Sequence, residues 1–359
     1  MLDTAPYKGV RDFYPEDQYI QNYITSIWRK TVERFGYEEY NASILEHSEI
    51  YKEKSGEEIV NEQTYTFTDR GGRDVTLRPE MTPTVARMVA ARRRELGFPL
   101  RWYSIPNLFR YEATQRGRLR EHWQLNADIF GVSSVEADME LVQIGYQIMM
   151  NFGARDLDFE IRLNNPNGTA EELNEFIAKL RSIGITNVVV DPSIARGQAY
   201  YTGIVFEFYD TNKENSRSIL GGGRYDNLTA LFGDDDLPAV GFGAGDVTLR
   251  DFLETHNLLP PYHPATMISI IPTSLELANE VWKVAMSFRM NGLNVAIDWS
   301  GRKLGDMIKT ADKQHVPFII VVGEDEIKSK KFKLKNLKTG EEKEITLEEK
   351  PAEAKENNA

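Results

Sequence analysis

The sequence predicts an α+β protein of two domains, in which a large domain built on an antiparallel sheet with flanking helices is followed by a smaller α/β domain. Three observations carry this. Apolar and polar residues alternate over short runs joined by glycine-rich turns, as at 65–69 and 73–77 about Arg70, Gly71 and Gly72. A proline-rich stretch, 255–264, then interrupts the pattern. Beyond it, strand-like and helix-like runs alternate from 267–271 to 318–322. The chain's 359 residues, 41% hydrophobic and 27% charged, suit a soluble protein of about two domains.

In order, 16–35 carries Ile20, Tyr23, Ile24, Ile27, Trp28 and Val32 at helical spacing and stops at Gly36. A strand is expected over 37–51. After the 65–77 hairpin, Pro79 breaks the strand and leaves Glu80 and Thr82 at the mouth of the helix 83–96, where a carboxylate can hold an ammonium and a hydroxyl can cap or bind. The RRRE run ending that helix is a solvated terminus. A helix over 135–152 buries Leu141, Ile144, Ile148 and Met149, and a strand follows at 159–163. Between 164 and 186 lie a turn and one amphipathic helix, with Thr169 and Glu172 as a capping box and Leu173, Phe176, Ile177 and Leu180 inward. A strand at 187–190, a loop at 191–197 carrying Arg196, and a strand at 203–209 with Glu207 facing inward come next. Glycines 221–223 let a backbone approach a ligand closely. The expected domains are 1–258 and 266–350, joined by a linker at 259–265 and followed by a polar, disordered tail, 351–359.

Composition excludes several chemistries. Cysteine is absent, which removes disulfides, thiolate catalysis and cysteine zinc sites, and the five histidines form no HExxH-like pairing, so no protein metal site is expected. With no signal peptide or long apolar run, a cytoplasmic protein with no membrane partner is expected. The formal charge of −12 argues against general nucleic-acid affinity, yet residues 266–340 hold 12 Lys and Arg against 8 Asp and Glu, which suits an RNA-facing module.

The chemistry concentrates in 108–131, LFRYEATQRGRLREHWQLNADIFG, which reads as a hairpin built around a polyanion. Phe109, Tyr111, Trp123, Leu125 and Ile129 form the apolar phase, Arg110, Glu112 and Gln124 share the other, and 114–119 is the turn. Arginine on a strand presents a planar cationic fork to phosphate or carboxylate, and Glu112 can orient that fork or a ligand amine. Taken alone, the same alternation also describes a solvated sheet face.

Three further blocks supply context: VTLRPEMTPTVARMVA (75–90), ARGQAYYTGIVFEFY (195–209) and LGGGRYDNLTALFG (220–233). With 108–131 they resemble histidyl-tRNA synthetases, a family of class II aminoacyl-tRNA synthetases. FRYE with Gln115, Gly117, Arg118, Arg120, Glu121 and Gln124 matches motif 2, and ARGxxYYTGxVFE and GGGRYDNL match the two histidine signatures. The resemblance implies a class II catalytic domain, a C-terminal anticodon-binding domain, and ATP-dependent activation of histidine followed by transfer to tRNA(His). It implies Arg110 and Arg196 as catalytic residues flanking the α-phosphate, with Mg²⁺ bridging the outer phosphates. Arg110, Glu112, Arg118 and His122 would contact ATP, Glu112 through the adenine or a metal-bound water. Glu80 and Thr82 would hold the histidine α-amino group, and Gln124, Asp128, Arg196, Tyr200 and Tyr201 would complete the pocket, with the imidazole between Tyr201 and Asp128. Thr82 read alone is equally an N-cap. A homodimer through motif 1 is implied as well.

The chain also departs from the family's pattern. Ser43 stands for the motif 1 proline, Met81 for glycine beside the pocket, Ala113 for a motif 2 arginine, Asp128 for glutamate and Ala199 for aspartate. His122 replaces the phenylalanine that stacks on adenine, with Trp123 next to it as a shifted stacking surface. Thr248 replaces the motif 3 arginine that grips the γ-phosphate, and Arg250 lies on a different side of the helix. The family's insertion domain is reduced to 164–186, so acceptor-arm recognition falls to the motif 2 loop and the C-terminal domain. The competing reading is a non-charging paralogue, such as the regulatory subunit of ATP phosphoribosyltransferase. That subunit generally lacks an anticodon-binding domain and need not keep Arg110, Glu112 and Arg196.

Overall fold

The computed structural model describes residues 3–52, 63–196, 200–233 and 235–347. Two compact units divide between Pro260 and Pro261, except that Pro15–Tyr19, the start of the first helix, groups with the second. That helix, α1 (Pro15–Arg34), starts on its proline and ends before Gly36, whose φ of +82° closes the C-terminus. Ile20, Ile24, Trp28 and Val32 form its buried stripe. The single strand expected over 37–51 is instead β1 (Glu38–Glu39), β2 (Leu45–His47) and a turn of helix, α2 (Glu49–Lys52). The break follows from a change of sheet, since the two strands pair in different ones. Ser43, at the family's proline position, accepts the Leu45 N–H at 3.2 Å as the chain turns into β2.

β3 (Tyr65–Thr68) and β4 (Asp74–Leu77) form the expected hairpin, with Asp69 accepting the Gly71 and Arg73 N–H groups and Gly72 at φ +78°. Helix α3 is Thr82–Arg92, shorter than expected, and its N-cap is Met81; Thr82 is the first helical residue and makes no cap. Then follow β5 (Leu100–Ser104), β6 (Asn107–Phe109), β7 (Glu121–Phe130), α4 (Val135–Asn151) and β8 (Phe159–Asn164). One helix, α5 (Ala170–Ser182), leads on to β9 (Val188–Val190). Its capping box is Thr169 with Glu172, and all four expected apolar residues are buried. β10 (Val205–Asp210), β11 (Leu220–Arg224), β12 (Ala239–Gly245) and α6 (Asp246–Thr255) complete the unit.

The main sheet runs β1-β5-β7-β12-β11-β10-β8-β9, with β6 pairing β7. It is antiparallel except at its edges, β1 on β5 and β8 on β9. Its two faces differ in kind. On the back, Leu125, Ala127, Ile129, Phe208 and Leu220 are buried, and Gly145 of α4 presses on Phe208 and Leu220. Arg224 leaves that face to pair with Asp138 of α4, both buried, so it is a structural group. On the front, register sets Gln124 beside Gly245, Asn126 beside Gly243, Asp128 beside Gly241, and Glu207 beside Gly221. Glycine at alternate positions strips this face of side chains and leaves a trough floored by backbone.

The second unit has β13 (Ile268–Pro272), α7 (Ala278–Met290), β14 (Val295–Ile297), α8 (Leu304–Lys313) and β15 (Phe318–Val322) in the expected alternation. It then adds α9 (Glu324–Ser329) and a hairpin, β16 (Lys331–Asn336) with β17 (Glu342–Thr346). The parallel core β14-β13-β15 extends through β16 and β17, and α7 and α8 cover opposite faces through Phe288 and Met307. Among the described residues no helix is long and apolar enough to cross a membrane.

Candidate active site

Two connected cavities open on the glycine-lined face, one of about 460 Å³ and one of about 80 Å³, sharing Arg110, Gln124, Tyr201, Gly221 and Gly243. Their sizes suit a nucleotide beside a small polar ligand.

The smaller cavity is walled by Glu80, Thr82, Gln124, Asn126, Tyr200 and Tyr225, among others. Glu80 is buried and accepts the Tyr200 hydroxyl at 3.1 Å. Burial first, then Glu80, raises the Tyr200 phenol well above its usual range, so it stays a donor. Tyr201 is raised too, by burial and then Glu80. The Tyr200 ring meets those of Tyr201 and Tyr225 edge-on at 5.2 and 5.7 Å. Met81, expected as bulk beside this pocket, is fully buried in the core with Val85, Leu100 and Tyr225.

Asp128 does not line the cavity; it lies behind Tyr225, whose hydroxyl donates to its Oδ1. A Cβ on Gly241 would overlap this carboxylate, so glycine there makes the room. The other oxygen, Oδ2, is buried without a hydrogen-bond partner, and burial pushes the carboxyl up to about 7 against the opposing pull of Tyr225. On Gly243 a Cβ would come within 2.8 Å of the Gln124 amide, so the same device seats Gln124.

The larger cavity is lined by Arg110, Glu112, Arg118, His122, Glu207 and Arg217, with other residues. The fork of Arg110 is held by the main chain, through Nε to the Pro79 carbonyl at 2.9 Å. Glu112, expected to orient that fork, is paired with Arg118. The reason is the loop: Gln115 and Arg118 form a bridge and Gly117 takes φ +71°, which folds Arg118 back over Glu112. His122 is pushed down to about 3, first by burial and then by Arg110 and Arg11, so it is a neutral imidazole at physiological pH. Trp123, on the opposite strand phase, packs edge-on against Phe13 and does not line the cavity, so no shifted stacking surface forms there. Tyr111, expected in the apolar phase, is 49% exposed beyond the end of β6, with the Arg120 guanidinium 3.9 Å from its ring centre.

At motif 3, Asp246 is fully buried and binds Arg11 at 2.7 Å and the Trp123 N–H at 2.9 Å, tying the N-terminal segment to β7 and α6. Thr248 lines the larger cavity, whereas Arg250 pairs with Glu254 along its own helix. Arg196 ends a short helical turn, Pro192–Arg196, but its side chain and Ala199 lie outside the described residues, as does the tail 351–359. Among the described residues no cluster of three or more His, Asp or Glu is arranged to hold a metal.

The structure therefore brings Glu80, Thr82, Arg110, Glu112, Arg118, His122, Gln124, Tyr200 and Tyr201 to one place. Sequence reasoning missed Asn126, Tyr225 and Arg217. Asn126 was findable, as the middle member of Gln124, Asn126, Asp128 at strand period. Tyr225 follows the three glycines with only Arg224 between. Arg217 lies in irregular chain and left no pattern.

A sequence model described as histidyl-tRNA synthetase matches residues 9–167 and 161–247, and one described as an anticodon binding domain matches 267–357. The chain belongs to the histidyl-tRNA synthetase family. A histidine–tRNA ligase of Leptospira biflexa is 37% identical over an alignment covering 94% of each chain, and one of Thermoplasma volcanium is 34% identical, covering 95% and 96%. The solved apo histidyl-tRNA synthetase of S. aureus superposes with a TM-score of 0.84 at 26% identity, covering 96% of this chain and 98% of its own. The Leptospira alignment runs over 409 residues, longer than this 359-residue chain, so that relative holds residues with no counterpart here. The two pieces of the family match overlap at 161–167, just ahead of α5.

Proposed function

We propose that this chain activates histidine with ATP to histidyl-adenylate and transfers the histidyl group to tRNA(His), acting in the cytoplasm. The observation that carries this reading is the pair of joined cavities, in which the residues shared between them, Arg110 and Gln124 foremost, stand where an amino-acid carboxylate would meet an α-phosphate.

The carboxylate attacks the α-phosphorus, the bond to the β-phosphate breaks, and pyrophosphate leaves; no protein nucleophile is needed. The work is positioning and charge neutralisation. Arg110, pre-oriented by the Pro79 carbonyl, meets the α-phosphate, and the family resemblance assigns Arg196 to the same group. Glu80 and Thr82 take the α-ammonium, with Tyr200 holding Glu80 in place. The imidazole lies against Tyr201, and Tyr225 carries its contact through to Asp128. Neutral His122 offers a flat face to adenine. Glu112 and Glu207 are oxygen donors on the nucleotide cavity that suit Mg²⁺ carried in on the phosphates, where it would neutralise charge on the leaving pyrophosphate.

Exposed Ile44, just before β2, with Leu45 of β2 and Phe67 of β3, 40%, 47% and 48% accessible, support pairing with a second copy through motif 1. The non-charging paralogue is the weaker reading, because this chain carries the anticodon-binding match at 267–357. Histidine-dependent ATP–pyrophosphate exchange, followed by charging of tRNA(His) transcripts, is the test. Exchange with histidine but no other amino acid supports the proposal, and histidine binding without exchange overturns it in favour of the paralogue.

A further inference from the structure

The larger cavity holds three guanidinium groups, on Arg110, Arg118 and Arg217. Two are engaged, Arg110 by the Pro79 carbonyl and Arg118 by Glu112. Arg217 is half-buried and has no hydrogen-bond or ion-pair partner among the described residues. A partly desolvated cation without a partner is unfavourable in the empty protein and is relieved by an anion arriving in the cavity.

Its position narrows which anion. A Cβ built on Gly117 would lie 3.2 Å from Arg217 Cδ and 3.3 Å from Thr248 Cγ2, so the two side chains flank the same point under the motif 2 loop. Neither lines the smaller cavity, and both extend into an adjoining one of about 240 Å³. Arg217 is thus removed from the histidine end and stands beside the one position, Thr248, where the family's γ-phosphate arginine is missing. Arg250 lines neither of these cavities and pairs with Glu254 along its own helix.

We propose that Arg217 binds the outer phosphates of the nucleoside triphosphate, the cation having moved from α6 to the segment entering β11. The proposal rests on the reading of this cavity as the ATP site. A guanidinium fork is suited to two phosphate oxygens at once, and the ordered stem against Gly117 limits the freedom it loses on binding.

The test compares ATP with AMP, which lacks the outer phosphates. Equilibrium binding of each is measured on the full chain and on Arg217→Ala, alongside pyrophosphate exchange. The expected result is at least tenfold weaker ATP binding with AMP binding within twofold, and a fall of thirtyfold or more in kcat/KM for ATP with the histidine KM within twofold. Arg217→Lys retains part of the effect, and Thr248→Arg in the Arg217→Ala background returns ATP binding to within fivefold of the parent. Equal losses for ATP and AMP, or no loss for either, overturn the proposal. Absence of exchange in the parent would count against the proposed function, whereas the ATP-to-AMP comparison still decides the role of Arg217.

Discussion

Asp128→Asn should stabilise the protein at alkaline pH while weakening its hold on histidine. Asp128 is 2% exposed, takes one hydrogen bond from Tyr225, and leaves Oδ2 buried without a partner. Burial raises its carboxyl to about 7, against about 3.9 in an unfolded chain. The native state therefore binds the proton more tightly, so between those two values it holds more protons than the unfolded state and stability falls as pH rises. At about 1.4 kcal/mol per unit, the ionised form costs the fold about 4 kcal/mol by pH 8 and about 1.5 kcal/mol at pH 5. Asparagine cannot ionise, and its carbonyl can still accept from Tyr225. Urea unfolding at the two pH values should show the advantage of the variant over the parent growing by about 3 kcal/mol from pH 5 to pH 8. In pyrophosphate exchange at pH 8 the variant's histidine KM should rise about tenfold, because the anion that accepts from the Tyr225 hydroxyl, and so orients it toward the proposed imidazole site, is gone, and the difference should shrink as pH falls and the parent protonates. A stability difference that is the same at both pH values would mean that the Asp128 carboxyl is not elevated in the folded protein, since only an elevated buried carboxyl generates the slope.

Arg196→Ala and Arg110→Ala should each reduce pyrophosphate exchange about a hundredfold or more, roughly 3 kcal/mol of transition-state stabilisation, with the circular dichroism spectrum unchanged; exchange within threefold of the parent would remove either from the α-phosphate. Tyr201→Phe should raise the histidine KM with little change in the ATP KM, and unaltered histidine binding would move side-chain recognition elsewhere. Asp246→Ala leaves Arg11 without its buried partner and should lower stability by about 3 kcal/mol or more, read from the urea midpoint. Truncation after Pro264 should spare adenylation and nearly eliminate tRNA binding across a salt series, since the excess of Lys and Arg over 266–340 is lost. The motif 2 loop is a poor substitute: Arg116 bonds Asn215, Arg118 pairs with Glu112, and Arg120 is buried against Tyr111 and Tyr7.

What was legible in the sequence was what regular structure dictates. The helical stripes of α1, α4 and α5 were readable because 3.6-residue periodicity maps directly onto burial, and the capping box at Thr169 marked the start of its helix. The pairing of Arg110 with Pro79 and of Glu112 with Arg118 was not readable, because partners across a loop are set by its path rather than by period. The split of 37–51 between two sheets, and the terminal hairpin β16–β17 with its apolar Phe332, Leu334 and Ile345 among lysines and glutamates, depended on which neighbouring strand lay free.

The glycines of the front face explain why so many departures leave one site intact. A trough floored by main chain at 221, 241, 243 and 245 does not depend on any one neighbouring side chain, so its shape survives changes at its rim. Met81 turns into the core, Ser43 replaces a proline by a hydrogen bond, and Thr248 stands beside Arg217. The substitutions that should not be tolerated lie on the floor itself. A Cβ at 241 displaces the Asp128 carboxylate and one at 243 displaces the Gln124 amide, so each closes the floor of the cavity proposed to hold histidine. Alteration of the rim changes which residue meets the ligand, whereas alteration of the floor removes the space in which the ligand is met.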